Sequence, residues 1–288
     1  MLTVIDVNSL RESVAARRSK GLRIGLVPTM GNLHDGHLSL VQQAKSRCDF
    51  VITSIFVNPM QFGANEDLAA YPNTPEQDAD LLSGAGCDCL FRPPKSEVYP
   101  DGTQNHTVVS VPKLGDDYCG RSRPGHFEGV ATVVTKLFNM ALPDEAFFGL
   151  KDYQQFLIIK KLTRDLAFPV QIIAGETKRE PSGLAMSSRN SYLTAIQRID
   201  AAALYKTLTE CMEKILSGNR DFAGLETAAL RQLQAHGLRP DYFAICNANT
   251  LVKATQSDSA LVVLAAAYLG NTRLIDNVRF DIDQLPAR

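Results

Sequence analysis

The run Phe50–Val57, FVITSIFV, is apolar at almost every position and offers no polar face to water. A strand of that kind is buried on both sides, which suits a parallel sheet covered by helices. The surrounding sequence supplies the other parts. Leu22–Pro28 and Cys87–Phe91 read as strands, Gly36–Arg47 as a helix, and Thr74–Leu82 as a helix opened by Pro75. Thr107–Val111 reads as a short edge or hairpin strand. Further on, Glu128–Met140 reads as a helix, Ala146–Gly149 as a strand, Asp152–Leu166 as a helix and Pro169–Ala174 as a strand. Alternation in this order builds right-handed β-α-β units.

Around Gly175–Arg189 small and polar residues interrupt the pattern. Helical stretches follow at Thr194–Leu216 and Phe222–Ala235, with strands expected at Tyr242–Cys246 and Ala260–Tyr268. The expected fold is therefore α/β: a Rossmann-like parallel sheet in residues 1–175, and a smaller α/β domain in residues 176–288 that covers the active site. A substrate would enter the cleft between them.

Charge narrows the partners. Lys plus Arg number 30 against 31 Asp plus Glu, a formal charge of -1, which argues against a nucleic-acid surface while allowing a local basic pocket. The sequence has no cleavage signal and no charge-free run long enough to span a membrane. Six scattered cysteines in a chain of 288 residues suggest reduced thiols and a cytoplasmic setting. Cys87 and Cys89 are the only close pair, and their spacing is not that of a zinc knuckle.

Chemistry concentrates at Pro28-Thr-Met-Gly-Asn-Leu-His34-Asp-Gly-His37. Two imidazoles stand three residues apart where an apolar run turns into a helix, so both can face one ligand. Backbone N–H groups at a helix start favour an anion there. Such a pair can donate to phosphate oxygens and stabilise charge that grows during phosphoryl or nucleotidyl transfer. The His-x-x-x-His spacing of a zinc helix is absent.

With Met186-Ser-Ser-Arg-Asn190 about 150 residues downstream, His34-Asp-Gly-His37 resembles the His-x-Gly-His nucleotidyltransferases. The resemblance narrows with SIFVNPMQF at Ser54–Phe62, SRPGHFEGV at Ser122–Val130, GLKDYQQ at Gly149–Gln155, GLAMSSRN at Gly183–Asn190 and LGNTRLIDN at Leu269–Asn277. Together these are similar to the pantothenate synthetase family, the pantoate–β-alanine ligases. The resemblance implies ATP-dependent joining of D-pantoate to β-alanine through a non-covalent pantoyl adenylate, with release of AMP and pyrophosphate. It also implies magnesium accompanying ATP, a homodimer, and no nucleic-acid or membrane partner.

Carried over residue by residue, the resemblance makes His34, His37, Lys151 and Arg189 catalytic. Gln61 and Gln155 would grip pantoate, with Met30 and Asn58 shaping the same wall. ATP would meet Met30, His37, Gly149, Lys151, Asp152, Lys178, Met186, Ser187, Ser188 and Arg189. Asp78 is a candidate magnesium ligand, supported by Gln77 and Asp80. His126 either lines the pantoate side or braces the following helix. Three positions depart from the family pattern: Leu150 stands where Glu is usual, Ser182 where Asp is frequent, and Lys178 where an apolar residue is expected. Two alternatives stay open, a related nucleotidyltransferase acting on another small acid or phosphorylated substrate, and a nucleotide-binding scaffold without catalysis.

Overall fold

A computed structural model describes residues 1–63 and 66–284. Six strands, β1 (Leu2–Val4), β2 (Ile24–Thr29), β3 (Phe50–Ile55), β4 (Cys89–Phe91), β5 (Glu145–Gly149) and β6 (Gln171–Gly175), form one sheet in the order β1-β4-β3-β2-β5-β6. Every pairing in it is parallel. All six residues of β3 are buried, as its continuous apolar run requires. The helices joining these strands begin with α1 (Val7–Arg18), α2 (Asp35–Lys45), α3 (Pro75–Gly84) and two short turns, α4 (Lys95–Val98) and α5 (Cys119–Ser122). The longer α6 (His126–Ala141) and α7 (Tyr153–Asp165) follow. Leu40, Val41 and Ala44 of α2 and Leu82 of α3 share a buried cluster with Val27, Val51, Leu90 and Phe147 of the sheet.

Strand order reverses at β2, with β3 on one side and β5 on the other. In open parallel sheets the crevice beyond the carboxyl ends of strands at such a reversal takes ligands. The histidine turn leaves β2, Asn58 and Gln61 follow β3, and Gly149 ends β5, so the motifs gather at the switch point.

The chain divides into two compact units, Met1–Leu150 with Gln154–Glu176, and Lys151–Tyr153 with Thr177–Arg288. The sequence reading left Lys151 in the first unit. Its backbone is instead held within the second, where Asn277 Nδ2 donates to the Lys151 carbonyl at 3.0 Å and Tyr153 OH to the Ala248 carbonyl at 2.8 Å.

The second unit carries an antiparallel sheet, β7 (Arg239–Asn247), β8 (Ala260–Leu269) and β9 (Thr272–Asp281), in that order. Helices α8 (Ala195–Ala201), α9 (Ala203–Leu216) and α10 (Phe222–Ala235) accompany it. Its core joins Leu204, Leu208 and Ile215 of α9 to Leu261, Val263 and Ala265 of β8.

Several expectations need correction. Thr107–Val111 is not a strand: Val109 N donates to Thr132 Oγ1 at 2.9 Å instead of to a sheet partner, and Val108 is exposed. The single helix expected over Thr194–Leu216 is two, meeting at Ala202. The first opens with a reciprocal cap between Thr194 and Gln197.

Candidate active site

Beyond Thr29 the chain must turn sharply to start α2, and it does so with positive φ at Gly31 and Asn32. A buried carboxylate fixes this turn. Asp78 of α3, 1% exposed, accepts the Asn32 N–H at 2.9 Å and the Leu33 N–H at 2.8 Å, with the Thr74 hydroxyl at 3.2 Å. Asp78, the candidate magnesium ligand, is thus buried and committed to the turn. Each carboxylate oxygen is occupied by a loop N–H. Among the described residues there is no group of three or more His, Cys, Asp or Glu placed to hold a metal ion.

Next the helix start decides where the imidazole protons sit. His34 is the N-cap residue of α2, and its Nδ1 accepts the Gly36 N–H at 3.1 Å. His37 returns the cap, its Nδ1 accepting the His34 N–H at 3.3 Å. With Nδ1 an acceptor in both rings, the neutral tautomer carries its proton on Nε2. The half-buried rings lie with centroids 4.1 Å apart and planes tilted by 39°. The turn thus presents two imidazole Nε2–H donors side by side.

Both ends of the Gln61 amide are anchored. Its Nε2 meets Met30 Sδ at 2.9 Å, and its Oε1 accepts from Asn58 Nδ2 at 3.2 Å. Asn58 is 1% exposed and fully engaged: Nδ2 also donates to the Gly129 carbonyl at 3.0 Å, while Oδ1 accepts from Tyr99 OH at 2.8 Å. Burial pushes the Tyr99 hydroxyl up to about 12, so it stays a donor across the neutral range. Behind Gln61, a Cβ on Gly129 of α6 would lie 2.5 Å from the Met60 carbonyl carbon and oxygen. Only glycine permits this approach of helix to turn.

His126 braces the same turn. Its Nδ1–H donates to the Gln61 carbonyl at 2.8 Å, and its Nε2 accepts from Arg123 Nη1 at 2.9 Å. Arg123 also grips Glu66 with two hydrogen bonds of 2.7 and 2.6 Å. Farther along, adjacent glutamines separate by role. Gln154 is buried and binds Cys119 N, Leu114 O and Asp117 O, whereas Gln155, one residue on, is half-buried at the start of α7.

In the second unit, Lys151 Nζ stands 3.5 Å from Asp152 Oδ1. The 178–190 segment closes on itself as a hairpin: Met186 N donates to Lys178 O at 2.9 Å, and Arg179 bridges Ala185. Ser187 caps the following 3-10 turn, Ser188–Tyr192, by accepting the Arg189 N–H at 3.3 Å. Buried Asn190 ties the turn back to Glu180 Oε1 and the Ala185 carbonyl, at 2.9 and 3.1 Å.

A family model for pantoate-beta-alanine ligase matches residues 3–279. The chain belongs to this family. It is 56% identical over 287 residues to a pantothenate synthetase of Pseudomonas putida, covering 100% of both chains. A pantothenate synthetase of Hahella chejuensis is 55% identical over 278 residues, 96% of this chain and 98% of the relative. The crystal structure of the Thermus thermophilus pantothenate synthetase superposes with a TM-score of 0.91 at 42% identity, covering 98% of this chain and 99% of that one. A Francisella tularensis pantoate-beta-alanine ligase, crystallised with a β,γ-ATP compound and β-alanine, gives 0.78 at 35% identity over 100% of both chains.

Against the family pattern, the departures have local explanations. Leu150 is 6% exposed, and an apolar side chain there avoids burying the usual carboxylate. Ser182 Oγ accepts the Leu184 N–H at 3.4 Å, the turn contact open to an Asp. Lys178 is exposed, which suits its charge. Sequence reasoning missed Tyr99, Arg123, Glu66 and Gly129 as the supports of Gln61. Only Gly129 carried a signal, a glycine inside a helical pattern, which marks close backbone approach.

Proposed function

We propose that this chain makes pantothenate in two steps, with phosphate charge managed by paired imidazoles and two cations. The overall reaction is that of its family, ATP-dependent ligation of pantoate and β-alanine. In the first step a pantoate carboxylate oxygen attacks the α-phosphorus of ATP and pyrophosphate leaves, forming an acyl phosphate anhydride. In the second, the neutral amine of β-alanine attacks the acyl carbon and AMP departs with the anhydride oxygen. Both reacting partners supply their own nucleophiles, so the protein's task is alignment and charge stabilisation.

The observation that carries this reading is the reciprocal histidine cap, which engages Nδ1 of His34 and His37 and so puts the proton of each neutral ring on Nε2. Preformed donors of this kind act where charge develops on a transferring phosphoryl group. Lys151 and Arg189 add cationic donors to the phosphates, with Ser187, Ser188 and Met186 beside Arg189. Gly149, Asp152 and Lys178 belong to the nucleotide's surroundings. Gln61 keeps one N–H beyond its contact to Met30 and an oxygen lone pair beyond Asn58, which suits an acid bearing hydroxyl and carboxylate. Gln155 completes that grip, and Asn58 acts through Gln61. Magnesium would arrive on the ATP phosphates.

The chain would work as a homodimer in the cytoplasm. Six buried free cysteines accord with a reducing compartment, and no helix among the described residues is long and apolar enough to cross a membrane. The decisive assay supplies ATP, magnesium, D-pantoate and β-alanine and measures pantothenate and AMP together. Equimolar formation is expected. AMP release independent of β-alanine would favour another acceptor. His37→Ala should cut pantoate-dependent exchange between pyrophosphate and ATP by about 10²–10³-fold while leaving the fold intact. Unchanged exchange would remove His37 from the mechanism.

A further inference from the structure

The C-terminal match, Leu269–Asn277, has no part in the chemistry set out above, yet two of its residues are buried and polar. Asp276 is 4% and Asn277 8% exposed, on the edge strand β9. The Asp276 carboxylate accepts both ends of the Arg179 guanidinium, Nη1 on Oδ2 at 2.6 Å and Nη2 on Oδ1 at 2.9 Å. Oδ1 also accepts the Asn277 N–H at 2.8 Å. Arg179 lies over the Tyr205 ring, 3.4 Å from its centroid, and Nη1 reaches the Gly183 carbonyl at 3.0 Å. The Arg179 backbone also bridges Ala185, so main chain and guanidinium of this one residue together fasten the hairpin that leads into Ser187–Arg189.

The next residue along the strand holds the other cation. Asn277 Nδ2 donates to the Lys151 carbonyl at 3.0 Å, and the Lys151 charge is felt at the Asp276 carboxylate. Burial raises the Asp276 carboxyl, and Arg179 opposes that rise. A buried polar pair is expensive unless it is satisfied, and here it is satisfied by segments that otherwise have no sequence proximity. Lys151 and Arg189 stand 38 residues apart in the chain, but β9 ties both segments to one place.

We propose that Asp276 and Asn277 are positioning residues for adenylate formation, setting Lys151 and the Arg189 turn in a common frame. This rests on the reading of Lys151 and Arg189 as phosphate-directed cations. A misplacement of about 1 Å can cost as much as 10²-fold in rate, so a clamp on the Lys151 backbone, and one on the hairpin that leads to Arg189, acts on turnover more than on pantoate binding.

The test is a pair of double-mutant cycles on the pantoate-dependent exchange reaction, read with labelled pyrophosphate so that slow variants remain measurable. Asn277→Ala should lower kcat for exchange roughly tenfold and leave the KM for pantoate within about twofold. In a Lys151→Ala background the same change should alter the rate by less than about twofold, because the group it positions is gone. Asp276→Asn should behave likewise in an Arg189→Ala background. Arg179→Lys, which keeps the charge without the two-pronged fork, should fall between wild type and Asp276→Asn. Asn277→Ala slowing the Lys151→Ala enzyme as much as the wild type would overturn the positioning role. So would normal exchange by Asn277→Ala where Lys151→Ala is slow. Normal exchange by Lys151→Ala and Arg189→Ala would overturn the phosphate reading itself, and the proposal with it.

Discussion

The histidine turn and the 178–190 hairpin both carry motifs proposed above to meet phosphate, and they are held by different means. In the first, short main-chain contacts dominate: two loop N–H groups meet Asp78, and each imidazole accepts an N–H of the helix start. In the second, a long side chain reaches out of the segment, Arg179 to Asp276, while Asn190 ties back to Glu180 within it. A site built on a strand–helix junction inherits its precision from secondary structure. A hairpin must obtain it from tertiary partners, at a larger cost in side-chain entropy.

The sharpest way to break this contrast is at Asp78. Asp78→Asn replaces one acceptor with an NH2 group that faces a loop N–H. The expected loss is about 2–4 kcal/mol of stability, as for an unsatisfied buried group, with slower pyrophosphate exchange. Denaturant unfolding measures the first and the exchange assay the second. A neutral outcome would mean that the turn is held by the helix cap alone.

A smaller effect is expected at the wall proposed to hold pantoate. Gly129→Ala forces a methyl group against the Met60 peptide, displacing Gln61. The pantoate KM should rise roughly tenfold while the KM for ATP changes little. Equal rises in both constants would show that the wall does not act on pantoate alone.

The smallest effect compares two half-buried carboxylates, the Asp6 cap of α1 in the first unit and Asp258 in the turn before β8 in the second. Asp6 accepts the Ser9 N–H and hydroxyl, and Asp258 accepts the Thr255 N–H and hydroxyl. These hydrogen bonds hold both carboxyls below the usual value of 3.8. A depressed folded-state pKa gives stability that is present above the unfolded value and is lost as pH falls through the folded one. The Tm gap between wild type and Asp6→Asn or Asp258→Asn should therefore be full near neutrality and close below about pH 3.9. A gap independent of pH would assign the difference to something other than ionisation.

What could be read from the chain alone follows the same division. Strands β2, β3 and β5 were legible because burial on both faces demands continuous apolar runs, and the histidine turn was legible because helix starts have local rules. Strand β9 was not, since TRLIDNVRFD places buried Asp276 and Asn277 where an apolar pattern should continue. The surface helix α1 was missed because only Leu10, Ser13 and Val14 of its twelve residues are buried. Thr107–Val111 misled through its β-branched content, which favours a strand only when a sheet edge is there to receive it. Asp78 misled because a sequence records a carboxylate but not the N–H groups that fold back onto it. Gln154 and Gln155 were distinguishable only by the family pattern, because their chemistry is identical and their surroundings are not.

The grouping of Lys151–Tyr153 with the second unit has a consequence for dissection of the gene. The polypeptide passes from one unit to the other between residues 150 and 151, returns between 153 and 154, and leaves again between 176 and 177. A fragment starting at Thr177 would omit the main chain that Asn277 and Ala248 hold, and a fragment ending at Glu176 would carry Lys151 without those anchors. Swapping the C-terminal unit between relatives at the obvious linker therefore exchanges the clamp but not the lysine, so compatible chimaeras must transplant both segments.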